Sequence, residues 1–162
     1  MATKRSAGLL LFRTPDRNGA LSAEVLIGHM GGPFWHGRED RAWSAPKGEY
    51  TSDEEPMAAA RREFEEELGF APPDGEWLPL GESRQPHGKI VTLWAMEADL
   101  DPTPFAPGTF TMEWPPHSGR LAEFPEIDRV EWTGVDAART RLVPGQLVFL
   151  DRLEELLVSR RG

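Results

Sequence analysis

The segment P-M-A-A-A-R-R-E-F-E-E-E-L-G, Pro56–Gly69, constrains the fold more tightly than any other part of the chain. Proline is tolerated in the first helical turn, where its missing N–H has no intrahelical partner. Ala58, Ala59 and Ala60 form a strong helix-forming run, and Gly69 is placed to act as a left-handed stop. The expected helix therefore runs from Pro56 to Leu68. At about 100° per residue, Met57, Ala60, Phe64 and Leu68 share one narrow stripe, the expected core face. Glu63, Glu66 and Glu67 fall on a neighbouring stripe at spacings of three and four, while Glu65 projects elsewhere into solvent. Like charges at those spacings repel by a few tenths of a kcal/mol per pair.

Three convergent carboxylates suit a hard divalent cation. Magnesium prefers oxygen ligands, and a cation of this kind would cancel the repulsion, polarise a phosphoryl oxygen and acidify a bound water. Taken alone, E-x-x-E-E also describes a solvated acidic helix face. Arg62 stands four residues before Glu66, the less favourable order for an in-helix pair, so its charge is expected to reach back to Glu54.

Composition narrows the classes of partner. The chain has 162 residues and is expected to form one domain, 1–162. A net charge of −9 argues against a duplex nucleic acid bound through a broad basic face. With no cysteine there is neither a disulfide framework nor a thiolate metal site. The apolar run near the N-terminus spans only about five residues, too short for a signal-peptide core or a membrane span. A cytoplasmic protein with no membrane partner is the expectation.

Strands are expected at Ser6–Phe12 and Glu24–Met30, joined by a polar turn at Pro15–Gly19. A Gly-rich loop dotted with aromatics follows, Gly31–Arg41, of a length that often carries function. Trp43–Pro46 is extended, since Pro46 disfavours helix at Ala45. After the helix come a turn at Ala71–Gly75 and strands at Trp77–Gly81 and Lys89–Ala98, the second apolar enough to be central. Asp101–Arg120 reads as irregular, with a short strand at Thr109–Trp114, and Arg129–Trp132 as the last strand. Helices at Asp136–Leu142 and Gln146–Val158 close the chain, the latter with a stripe of Leu147, Leu150, Leu153 and Leu157.

The wider segment G-E-Y-T-S-D-E-E-P-M-A-A-A-R-R-E-F-E-E-E-L-G-F, Gly48–Phe70, matches every fixed position of the pattern G-x5-E-x7-R-E-U-x-E-E-x-G-U, where U is a bulky hydrophobic residue. In this respect the chain resembles the Nudix hydrolase family. W-S-A-P-K-G (Trp43–Gly48), the S-A-G-L-L-L-F segment and F-P-E-I-D-R-V-E-W (Phe124–Trp132) look like segments of such proteins too. The resemblance implies an α/β fold, an α/β/α sandwich around a central mixed sheet. It implies Mg2+ as cofactor, with Mn2+ as a substitute, held by Glu63, Glu66, Glu67 and the Gly48 carbonyl. Glu54 and Arg62 would brace the loop against the helix, and Gly69 would be structural.

The implied reaction is hydrolysis of a nucleoside diphosphate linked to another moiety, with water attacking a phosphorus of the pyrophosphate. The base would be Glu66, or a carboxylate from a later loop, Glu126 or Glu123. Lys47, directly before Gly48, would contact phosphate, and Arg5, Lys89 and Lys4 would add charge if their strands face the cleft. Trp35 could offer a stacking face to a base. His29, His36, His87 and His117 are scattered, and none is assigned as a ligand.

For the substrate, a small-molecule nucleotide, W-S-A-P-K-G and S-A-G favour a dinucleoside polyphosphate. ADP-ribose, nucleotide sugars and nucleoside triphosphates stand as alternatives, as does a non-catalytic nucleotide-binding module. Two subtype markers are missing: Arg84 stands where an ADP-ribose type often has proline, and the chain's only tyrosine is Tyr50. A monomer and a homodimer are equally compatible with the sequence.

Overall fold

A computed structural model describes residues 3–14 and 23–161; the turn expected at Pro15–Gly19 lies outside the described residues. Strand β1 (Arg5–Arg13) is the spine of a seven-stranded mixed sheet. It runs parallel to β6 (Ile90–Glu97), and β5 (Leu78–Arg84) lies antiparallel on the far side of β6. The other edge of β1 is divided between two partners. Its first part, Arg5–Gly8, pairs with β4 (Lys47–Tyr50), and its end, Phe12–Arg13, pairs with β2 (Glu24–Met30). Between them the Leu9 N–H donates to the carbonyl of Pro46, at 3.1 Å. On β2 the sheet continues through β3 (Trp43–Ser44) and β9 (Ile127–Gly134).

Alternation along β1 sends side chains to both faces. Leu9 and Leu11 join Leu26, Met96, Phe64 and Leu68 under helix α1 (Pro56–Leu68). Leu10 and Phe12 join Val25, Ile27, Leu93 and Ala95 under α2 (Val135–Arg141) and α3 (Leu147–Arg161). Helices thus cover both faces of a mixed sheet, as the sequence led one to expect. The leucine stripe of α3 buries Leu150, Leu153 and Leu157, with Phe149 added and Leu147 only partly covered.

Helix α1 has the expected bounds, and Gly69 closes it at φ 82°. Its buried face is rotated from the expected one. Met57 is 41% exposed, whereas Ala59, Ala60, Phe64 and Leu68 are fully covered. The cause is the small-residue contact of Ala59 and Ala60 with Ala7 of β1, which lets the helix lie close to the sheet. That rotation also carries Glu63 into the protein, leaving it only 8% exposed.

Two strands were not expected. K-G-E-Y has no apolar alternation, and β4 exists because the free half of the β1 edge supplies its hydrogen bonds. Strand β8 (Leu121–Pro125), just beyond the stretch read as irregular, pairs with β7 (Thr109–Glu113), the short strand expected there, in a separate two-stranded hairpin. Among the described residues no helix is long and apolar enough to cross a membrane.

Candidate active site

The site forms where the β4 backbone meets the exposed flank of α1. The α-carbon of Gly48 faces Glu63, and a Cβ there would stand 2.0 Å from the carboxyl carbon. One residue earlier, the backbone N–H of Lys47 donates to Oε2 of Glu67 at 3.2 Å. Strand and helix are therefore in register through two glutamates, and only glycine fits at position 48. Gly8 serves the neighbouring residues in a similar way. A Cβ on Gly8 would lie 2.3 Å from the Pro46 carbonyl oxygen and 2.6 Å from Lys47 Cβ. This is the physical content of S-A-G and P-K-G occurring in one chain: the two segments pack directly on each other.

Arg62 is the electrostatic hub. Its Nε and Nη2 donate to the two oxygens of Glu54, each at 2.9 Å, a bidentate pair across the loop that precedes the helix. Nη1 donates to Glu63 at 2.7 Å and reaches Glu66 at 3.3 Å, and Nη2 also reaches the Glu49 carbonyl at 3.3 Å. The reach to Glu54 matches the expectation from the sequence; the simultaneous hold on Glu63 and Glu66 was not foreseen. Hydrogen bonding to Arg62 holds the Glu54 carboxyl below its ordinary range.

Glu67, Glu63 and Glu126 are pushed the other way. Burial raises Glu67 to about 8, against the opposing pull of Lys47 and with the charges of Glu126 and Glu63 adding to the rise. Burial raises Glu63 as well, opposed by Arg62 and reinforced by Glu66 and Glu126. Glu126 is raised by burial and by the charge of Glu66. Four glutamates thus feel one another, although Glu126 comes from a distant segment.

A backbone relay explains how Glu126 arrives there. Gly108 N–H donates to the Glu66 carbonyl (3.0 Å), Glu126 N–H donates to the Gly108 carbonyl (2.9 Å), and Gly31 N–H donates to the Glu126 carbonyl (3.0 Å). Gly108 is a structural participant that sequence reasoning missed, because its partners are brought together only by the fold. Glu123, in contrast, is exposed on β8 opposite Thr111 and stands apart from the cluster's charges.

The other candidate residues are placed more diversely. Strand alternation turns Lys47 away from Gly48 toward the face of Gly8. Burial lowers its amino group, with the nearby charge of Lys89 in the same direction. Lys89 donates to Glu49 at 3.0 Å, and Arg5 reaches Glu82 at 3.3 Å. Lys4, Lys89, Arg84 and His87 line a cleft of about 610 Å³ at this end of the sheet. Trp35 packs against the core on the α2–α3 side of the sheet, with Arg38 lying 5.0 Å over its ring. The fold does not bring it to the glutamates.

The donor set fits a hard divalent cation: all-oxygen, anionic when ionised, and crowded enough that burial raises its carboxyls. Gly48 lets the β4 backbone approach the Glu63 carboxyl, which any Cβ at that position would strike. Among the described residues, no group of three or more His, Asp and Glu side chains is arranged to hold a metal as it stands. The Arg62 guanidinium instead pairs with Glu63 and Glu66 together.

A family model of the NUDIX domain matches residues 2–153. The chain belongs to the Nudix family. That membership places it among the pyrophosphohydrolases, and its mixed sheet with helices on both faces is the fold of its structural neighbours. The Ap4A hydrolase of C. elegans, solved as a binary complex, superposes with a TM-score of 0.63 at 17% identity, covering 95% of this chain and 98% of that one. A mutT/nudix family protein from Listeria innocua gives 0.61 at 17% identity, with 99% and 98% covered. The NUDIX domain of Shewanella oneidensis NrtR, complexed with ADP ribose, gives 0.60 at 17% identity, with 97% and 90% covered. No curated protein matches the chain significantly by sequence. At these identities the likeness is one of fold.

Proposed function

We propose that the protein hydrolyses a pyrophosphate bond in a nucleoside diphosphate linked to another moiety, with a dinucleoside polyphosphate as its substrate class. The observation that carries this reading is the convergence of Glu63, Glu66 and Glu67 with the β4 backbone at Lys47–Gly48, joined by Glu126 from the β8–β9 connection. Glu63, Glu66, Glu67 and the Gly48 carbonyl would hold Mg2+, or Mn2+ in its place. When bound, the cation offsets charge on the phosphate oxygens and acidifies water.

The chain's own residues supply the rest. Arg62 braces the loop through Glu54 and holds Glu63 and Glu66, two of the carboxylates that would bind the cation. Glu66 is exposed and stands beside Glu126, so the pair can accept the proton of the attacking water, Glu66 being the assigned base and Glu126 the alternative. Lys47, Lys89 and Arg5 offset phosphate charge at the neighbouring end of the sheet.

The substrate class rests on the resemblance of W-S-A-P-K-G and S-A-G to segments of dinucleoside-polyphosphate members and on the similarity of fold to an Ap4A hydrolase. A panel with Mg2+ and Mn2+ tests it: dinucleoside tetraphosphates, ADP-ribose, NADH, and normal and oxidised nucleoside triphosphates. The expected result is highest kcat/KM on a dinucleoside tetraphosphate. Inactivity on every member with metal present would replace the reading with that of a binding module.

A further inference from the structure

A second cavity, of about 520 Å³, lies between the Gly31–Arg41 loop and the β7–β8 hairpin, lined by none of the four clustered glutamates. Its size falls within the range of small-molecule sites. Trp114 and Phe124 supply aromatic walls, Gly32 and His36 the loop side, and Asp128 a carboxylate. Phe34 and Trp114 pack in a T-shape, ring centroids 5.6 Å apart at 82°, so the loop and the hairpin touch. Behind Phe124 lies Phe110, 6.0 Å away, and Phe110 in turn packs so near Gly32 that a Cβ there would stand 2.9 Å from its ring.

We infer that this cavity is a purine-base subsite, with Trp114 and Phe124 as the stacking faces and Asp128 as the acceptor for N–H groups on the base edge; the inference rests on the hydrolase reading above and names where its substrate's base is held. Three observations carry it. Aromatic faces stack on bases of any kind, and here two of them bound one concave space. Asp128 is oriented for its task, because His29 Nδ1 holds its Oδ1 at 2.7 Å while His29 Nε2 lies 2.6 Å from the Arg38 carbonyl. Finally, the cavity adjoins the candidate active site. Pro125 and Asp128 flank Glu126, and the relay through Gly31, Glu126 and Gly108 ends on the Glu66 carbonyl. A base seated against Trp114 and Phe124 therefore lies beside the chain segment that carries Glu126. Trp35, the stacking face expected from the sequence, is instead covered by Arg38 and the core.

The probe is 2-aminopurine riboside 5′-monophosphate, whose fluorescence is quenched on stacking, titrated with the full chain in Mg2+. The expected result is saturable quenching that weakens about tenfold or more in apparent Kd in Trp114→Ala and Phe124→Leu, and that Trp114→Phe largely restores. On hydrolysed purine nucleotides the loss in Trp114→Ala should fall on KM. Absence of quenching by the wild-type chain, or wild-type binding by both Trp114→Ala and Phe124→Leu, would overturn the subsite. Quenching that depends on Trp114 in a chain that hydrolyses nothing would support the subsite and remove the hydrolase reading. Hydrolysis with unchanged KM and quenching in both variants would do the reverse.

Discussion

Gly48 stands so close to Glu63 that a Cβ at position 48 would lie 2.0 Å from both the carboxyl carbon and Oε2 of that glutamate. Gly48→Ala must push α1 from β4 or turn Glu63 out of its site. Overpacking of this kind costs about 1–3 kcal/mol. The expected outcome is a lower urea midpoint with an unchanged slope, together with a loss of turnover larger than the stability change accounts for.

Glu66 is exposed, so replacing it strands no buried partner. Glu66→Gln should keep the wild-type circular dichroism spectrum and melting temperature within a few degrees. Its pyrophosphohydrolase activity should fall at least about a hundredfold, as for loss of a metal ligand or base. Near-normal turnover would remove Glu66 from the site.

The two later carboxylates should separate cleanly. Glu126 feels the charge of Glu66 and is anchored by Gly108 and Gly31. Glu126→Gln should lower kcat about tenfold or more. Glu123→Gln, on the hairpin opposite Thr111, should match wild type. Equal effects in steady-state kinetics would show that the loop acts as a whole rather than through Glu126.

Lys47 offers a choice between two measurable roles. If its amino group offsets phosphate charge, Lys47→Ala raises KM or lowers kcat on polyphosphate substrates. If instead it serves to cover Gly8 and Leu93, thermal stability falls and the kinetics stay unchanged. The proposed function requires the first result in a substrate titration.

The metal-free protein should lose stability as pH rises. Glu67 titrates at about 8 in the fold, against an ordinary 4.5. Between those values the folded state binds the extra proton, so unfolding becomes easier with increasing pH. In EDTA the melting temperature should fall across this window. Glu67→Gln, which keeps an acceptor for the Lys47 N–H, should flatten the fall, and Mg2+ should raise the melting temperature most at the alkaline end. A flat profile for the wild-type chain in differential scanning calorimetry would contradict the assigned burial of Glu67.

Much of this protein was written locally. The bounds of α1, its glycine stop, β1, β2, β6 and the leucine stripe of α3 follow from propensity and periodicity, which act over neighbouring residues. The full Gly48–Phe70 pattern, through the family it resembles, likewise made Glu63, Glu66 and Glu67 candidates for a metal. What spacing could not show was which face of α1 would be buried: Ala7, more than fifty positions away, admits Ala59 and Ala60 and leaves Met57 outside. Nor could K-G-E-Y announce itself as a strand, because its hydrogen bonds belong to the free half of β1. Glu126 reaches the cluster through glycines at 31 and 108, and Trp114 meets Phe34 beside a hairpin whose second strand was not expected. The sequence by itself determined the family, the acidic helix and the chemistry those carboxylates can do. Only the tertiary structure decided which distant groups surround them, since burial, charge coupling and cavity walls arise between segments that no local rule connects.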